Sequence, residues 1–136
     1  MLEFGPIELA ECQANLPRSA TVEDYERAMA FSTAVSRHLY WWIGDMILEM
    51  DRRFGDGGAQ ALCFDNISME QMQRIVAVAR RVPKENRRSD LSWYHHMQVS
   101  RLPKHMQSSW LEKAAEEGWS STELQKMITE FLKGAK

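Results

Sequence analysis

Residues 57–102 read GGAQALCFDNISMEQMQRIVAVARRVPKENRRSDLSWYHHMQVSRL, and the way this stretch divides into helices decides the fold. A short apolar segment, Ala59 to Phe64, stops at the turn formers Asp65 and Asn66. Ser68 then opens a longer helix. Ser68 and Gln71 have capping-box spacing, in which the hydroxyl satisfies one orphan amide and the Gln side chain another. Met69, Met72, Ile75, Val76, Ala79 and Val82 recur at helical spacing and make one apolar face. Glu70, Gln71, Gln73, Arg74, Arg80 and Arg81 make the other. Two helices, a tight turn and a polar outer face on the second helix describe a helix-turn-helix over about residues 57–82, whose second helix is the kind that enters a DNA major groove. The plainer alternative is a surface helical hairpin with a solvated outer face.

Charge is distributed to match. The formal net charge is −2, which by itself argues against a simple nucleic-acid binder. Residues 1–65, however, carry 5 Lys/Arg against 11 Asp/Glu, and residues 66–105 carry 8 against 3. Phosphate contact needs local density of positive charge, not a high total. The acidic first half would oppose nonspecific binding or face another partner.

Outward from this stretch the chain reads as all-α. Residues 1–20 are expected to form an irregular arm, because Gly5, Pro6 and Pro17 interrupt helix and Leu2, Phe4, Ile7 and Leu9 keep no sustained period; no strand is expected anywhere. Residues 21–136 are expected to form a single helical domain with a long N-terminal helix and a C-terminal helical hairpin. Thr21 is a good N-cap followed by Glu23 and Asp24, so a helix should run from Val22 to about Phe54, with a break possible near Ser36 to His38. Val35, Leu39, Trp42, Met46 and Met50 share one face of it, with Ile43 and Ile47 beside it. Trp41 and Trp42 cannot both point at that stripe, so one of them is a candidate dimer contact. Pro83 ends the motif helix, Ser92 caps the next near Trp93 to Arg101, and Pro103 starts another that Gly118 terminates after Trp110, Leu111, Ala114 and Ala115. Ser120 and Glu123 form a further capping box before Leu124, Met127, Ile128, Phe131 and Leu132.

Reading base edges needs side chains that can donate and accept near the start of the motif helix. Gln71 and Gln73 suit adenine and Arg74 suits guanine, while Ser68 and the first amides can hold a phosphate. Arg80, Arg81, Lys84, Arg87 and Arg88 are the expected backbone contacts, and Arg101 and Lys104 could extend the strip. His95 and His96 are adjacent, so a helix points them about 100° apart and they cannot readily share a metal. Packing or phosphate-facing roles suit them better. Cys63 lies in the apolar segment and Cys12 is far from it in sequence, so free thiols in a reducing cytoplasm are expected. No phosphate-loop glycine pattern, nucleophile elbow or membrane-length apolar run is present in the sequence, and no signal peptide is expected. No cofactor, metal site or enzyme activity is expected.

Three segments carry a resemblance. ALCFDNISMEQMQRIVAVARRVP, LSWYHHMQVSRLP and WLEKAAEEGWSSTELQKMI stand in the order found in the helical DNA-binding part of ParB-type partition proteins. With WWIGDMILEMDRRFG ahead of them, they resemble more closely the short LmbU-like regulators of actinobacteria, plasmids and phages. The resemblance covers roughly residues 40–130. It implies double-stranded DNA as partner, for a transcriptional regulator or a plasmid or phage partition-type protein. The glycine- and arginine-rich nucleotide box of partition proteins is missing, as is room for their dimerisation domain, so no CTP-driven clamp is implied. A homodimer is expected, because one short recognition helix supplies little specificity alone. The alternative is a small helical module that engages a host protein through its acidic, Trp-rich first half.

Overall fold

A computed structural model describes residues 2–10, 13–55 and 68–134. The expected first helix of the motif (Ala59 to Phe64), the turn at Asp65 and Asn66, and both cysteines lie outside the described residues. The chain divides into two compact units, residues 1–38 and 39–136, and α1 (Val22–Phe54) contributes to each.

In the first unit the structure corrects the expectation of an irregular arm. β1 (Leu2–Phe4), β2 (Ile7–Ala10) and β3 (Gln13–Asn15) form an antiparallel meander. Phe4 pairs with Ile7, so Gly5 and Pro6 are the two residues of a hairpin turn, with Gly5 at a φ of 58°. Such a turn calls for glycine at its first central position. A Cβ there would also lie 2.4 Å from the Asp24 carboxylate. The helix breakers of the sequence are therefore the turn itself. Ile7 is fully buried, and the Phe4 and Phe31 rings meet at 5.4 Å. The start of α1 is tied by a reciprocal cap: Thr21 Oγ1 accepts from the Asp24 amide, and Asp24 Oδ2 accepts from the Thr21 amide at 2.9 Å. Those bonds, with Arg27, hold the Asp24 carboxyl below its usual range.

The second unit is helical among its described residues. α2 (Met69–Arg81), α3 (Trp93–Val99), α4 (Lys104–Glu117) and α5 (Ser121–Gly134) surround a core with the C-terminal part of α1. Ile75, Val78, Val82, Trp93, Val99, Leu111, Ala114, Leu124 and Ile128 fill that core, with Trp41 at its edge. Burying such side chains contributes on the order of 2 kcal/mol each. Gly118, at a φ of 66°, stops α4 as expected, and its amide bonds Ala114 O.

α1 runs unbroken through Ser36 to His38. Its inward face in this unit is not the one read from the pattern. Trp41, Gly44 and Ile47 are buried, whereas Leu39, Trp42 and Met46 are 40%, 48% and 58% exposed. Gly44 sets this rotation. A Cβ on it would lie 2.8 Å from Ala79 Cβ and 3.0 Å from Ile75 O, so α1 and α2 touch where there is no side chain to part them. A hydrophobicity pattern gives glycine no weight on a contact face, and it therefore favoured the stripe through Trp42.

Candidate nucleic-acid interface

α2 begins where Ser68 Oγ accepts a hydrogen bond from the Gln71 amide at 3.1 Å. The reciprocal half of the expected capping box is replaced: Gln71 Oε1 accepts from Arg74 at 3.1 Å instead. Ile75, Val78, Ala79 and Val82 face inward, and Val78 takes the inward position expected of Val76. Met69, expected on the apolar face, is 67% exposed. Gln73, Arg74, Arg80 and Arg81 are all exposed. Glu70 is the one acid within α2, and among the described residues none of these three arginines forms an ion pair. Arg74 and Arg81 are seven residues apart, two helical turns, and so lie on one flank about 10 Å apart along the axis. Tyr94 is close to Arg74: partial burial and Tyr40 push its phenol above the usual value, and Arg74 pulls it the other way.

Two of the arginines expected to meet phosphate are committed elsewhere. Arg87 reaches back across α2 and grips Asp45 of α1 with two bonds, at 2.9 and 3.1 Å. Its remaining donors satisfy Val82 O at 3.0 Å and Ala79 O at 3.2 Å, and its guanidinium lies 4.1 Å above the Trp41 ring. It caps the C-terminal carbonyls of α2 and fastens the helix to α1, with its side chain 15% exposed. Arg88 forms a two-bond pair with Asp90. Arg101 points along α5, toward Gln125 O and Thr129. The exposed cations left around α2 are therefore Arg74, Arg80, Arg81 and Lys84, with Lys104 at the start of α4.

The two adjacent histidines are fasteners with opposite tautomers. His96 is fully buried and edge-on to Trp41, at 5.1 Å. Its Nε2 accepts from the Arg88 amide at 2.9 Å, so its proton sits on Nδ1 and is donated to Ser92 O at 2.7 Å. Burial holds its pKa down to about 4, so it is neutral near pH 7. His95 does the reverse: Nδ1 accepts from the Ser92 amide, and Nε2 donates to Trp119 O at 2.8 Å. With Ser92 Oγ accepting from the His95 amide, this is a complete capping box with imidazole in the place of Glu or Gln. Trp41 is thus packed between Arg87 and His96 inside its own chain and is 9% exposed.

Sequence reasoning passed over Asn86 and Gln107. Gln107 is 1% exposed and donates to Arg81 O at 3.0 Å and Leu102 O at 3.2 Å. Asn86 donates to Gln107 Oε1 and Lys104 O, both at 3.0 Å, and accepts from Ser108 Oγ at 2.9 Å. Together they satisfy the last turn of α2 and bind it to the first turn of α4. The one available signal was that Gln107 shares a helical face with Leu111 and Ala114. Among the described residues no group of His, Cys, Asp and Glu could hold a metal ion, and no helix is long and apolar enough to cross a membrane.

No family model matches the chain, and no solved structure matches it. It is 29% identical over 133 residues to the transcriptional regulator NovE of Streptomyces niveus. The alignment takes in 96% of this chain and 61% of that protein, so the chain spans less than two thirds of its relative's length. The likeness is a distant homology to a transcriptional regulator, and it runs through both the strand-bearing and the helical unit.

Proposed function

We propose that the chain is a sequence-specific double-stranded DNA-binding protein that regulates transcription, with α2 as its recognition helix. The observation that carries this reading is the outer face of α2. Gln73, Arg74, Arg80 and Arg81 are exposed there without acidic partners among the described residues, while the inner face is anchored by Gly44, Arg87 and Gln107. A helix locked from behind and cationic in front suits groove entry, where a fixed frame lets Gln and Arg discriminate bases. Gln73 and Arg74 would read base edges. Arg80, Arg81 and Lys84 would meet phosphates, and Ser68 would keep its role as cap at the groove end of the helix. The likeness to a transcriptional regulator favours regulation over a partition role. Action as a homodimer fits the limited reading capacity of one 13-residue helix.

The test is binding to duplex DNA at two salt concentrations, for the wild-type chain and for Arg74→Ala combined with Arg81→Ala. Tight binding at low salt that weakens steeply with salt, and is lost in the double variant, is expected. An unmodified chain that leaves DNA unbound at low salt would overturn the proposal.

A further inference from the structure

The hydrogen-bonded junction between α2 and α4 brings a further exposed cation, Lys104, to the end of α2 that carries Arg81 and Lys84. Arg81 ends α2, Lys84 opens the 3-10 turn Lys84–Asn86, and Lys104 opens α4. All three side chains are exposed, and among the described residues none forms an ion pair. Lys104 comes from a separate stretch of chain, yet its backbone is joined to that of Arg81 by a short relay. Arg81 O accepts from Gln107, Gln107 accepts from Asn86, and Asn86 donates also to Lys104 O, each bond at 3.0 Å. Ser108 completes the relay by donating to Asn86. A buried amide at Gln107, every polar atom of which has a partner, holds one geometry, since any alternative leaves donors or acceptors unmet.

We infer that Arg81, Lys84 and Lys104 form a clamp for the phosphodiester backbone of duplex DNA, kept in register with the reading face of α2 by Gln107 and Asn86. The inference rests on the DNA-binding reading above and deepens it, joining Lys104 of α4 to Arg81 and Lys84 and tying all three to the reading helix. Each strand presents a phosphate about every 3.4 Å of helix axis, so cations from two helices can take neighbouring phosphates. Backbone contacts carry no sequence information themselves but set the position from which a recognition helix reads bases. Rigid coupling of clamp to reader is what that division of labour requires. Glu85 is exposed in the same 3-10 turn. Its carboxylate restrains the patch and makes its cationic character adjustable. Asn86 and Gln107 act as positioning residues, since their amides are spent within the protein.

The experiment is the dependence of affinity on salt, measured on a short mixed-sequence duplex with the full chain. Neutralising two phosphate contacts with Lys84→Gln and Lys104→Gln should make the slope of log K against log salt shallower by about 2. Glu85→Gln should raise affinity. In an Asn86→Ala background the two lysine substitutions should change the slope by less than half as much, a non-additivity that simple loss of stability would not produce. Wild-type binding with an unchanged slope in the lysine variant would overturn the clamp and leave the recognition helix standing. A wild-type chain that does not bind the duplex at low salt would overturn both.

Discussion

Replacing Gly44 with alanine tests the contact that sets the position of α2. The added methyl would stand 2.8 Å from Ala79 Cβ and 3.0 Å from Ile75 O. Both obstacles belong to the α2 backbone or lie one bond from it, so neither can swing aside as the end of a long side chain could. Relief requires the two helices to separate by several tenths of an ångström. Overpacking of this kind costs about 1–3 kcal/mol. Alanine in mid-helix returns up to about 1 kcal/mol over glycine, so a net loss of about 1–2 kcal/mol is expected. For a chain of this size that is a fall in Tm of roughly 3–8 °C. Urea unfolding followed by tryptophan emission gives the same quantity, because Trp41 and Trp93 lie in the core of this unit. Combining Gly44→Ala with Ala79→Gly should recover part of the loss, since the 2.8 Å contact disappears while the one to Ile75 O remains. A single variant as stable as the wild type, or more stable, would refute the close approach of α1 to α2.

Two further outcomes follow from the groups behind α2. His96 has a folded pKa near 4, below the ordinary 6.5, because burial disfavours its charged form. Its contribution is therefore complete above about pH 6.5 and is lost as pH falls through about 4; unfolding measured across that window should show up to about 3 kcal/mol of loss, and His96→Gln should flatten the profile. Arg87→Lys keeps the charge but cannot reproduce the two-bond grip on Asp45 together with the bonds to Val82 O and Ala79 O. It should cost about 2 kcal/mol by denaturant unfolding, and an unchanged midpoint would show that the grip contributes nothing.

The parts of the fold that were legible from the residues are those governed by short-range rules. Thr21 starts α1, Ser68 and Ser92 start α2 and α3, and Gly118 ends α4, because caps and left-handed stops depend on a few neighbouring residues. The strands were missed for the opposite reason. In Leu2 to Ala10 the pairing of Phe4 with Ile7 depends on Gly5-Pro6 acting as a turn, and a search for helix registers a Gly-Pro pair only as an interruption. The face of α1 was missed because a contact made by the absence of a side chain leaves no hydrophobic mark.

The candidate site shows the same division. Exposure of Gln73, Arg74, Arg80 and Arg81 was readable from helical period, since residues opposite Ile75, Ala79 and Val82 must face outward. The fate of Arg87 was not, because its partner Asp45 lies 42 residues away in sequence. In a polar, basic linker an arginine that fastens two helices is spelled like one that meets phosphate. Asn86 and Gln107 were invisible for a related reason: their value lies in bonds to Arg81 O and Lys104 O, backbone atoms that carry no identity in the sequence.

Whether this helical face selects DNA by sequence is settled most directly by incubating the full chain with a pool of genomic duplex fragments and sequencing what is retained. The account predicts enrichment of a shared motif, repeated with two-fold symmetry if two copies act together, and loss of that enrichment in Arg74→Ala. A retained pool with the same composition as the input, or no retained DNA at low salt, would contradict it.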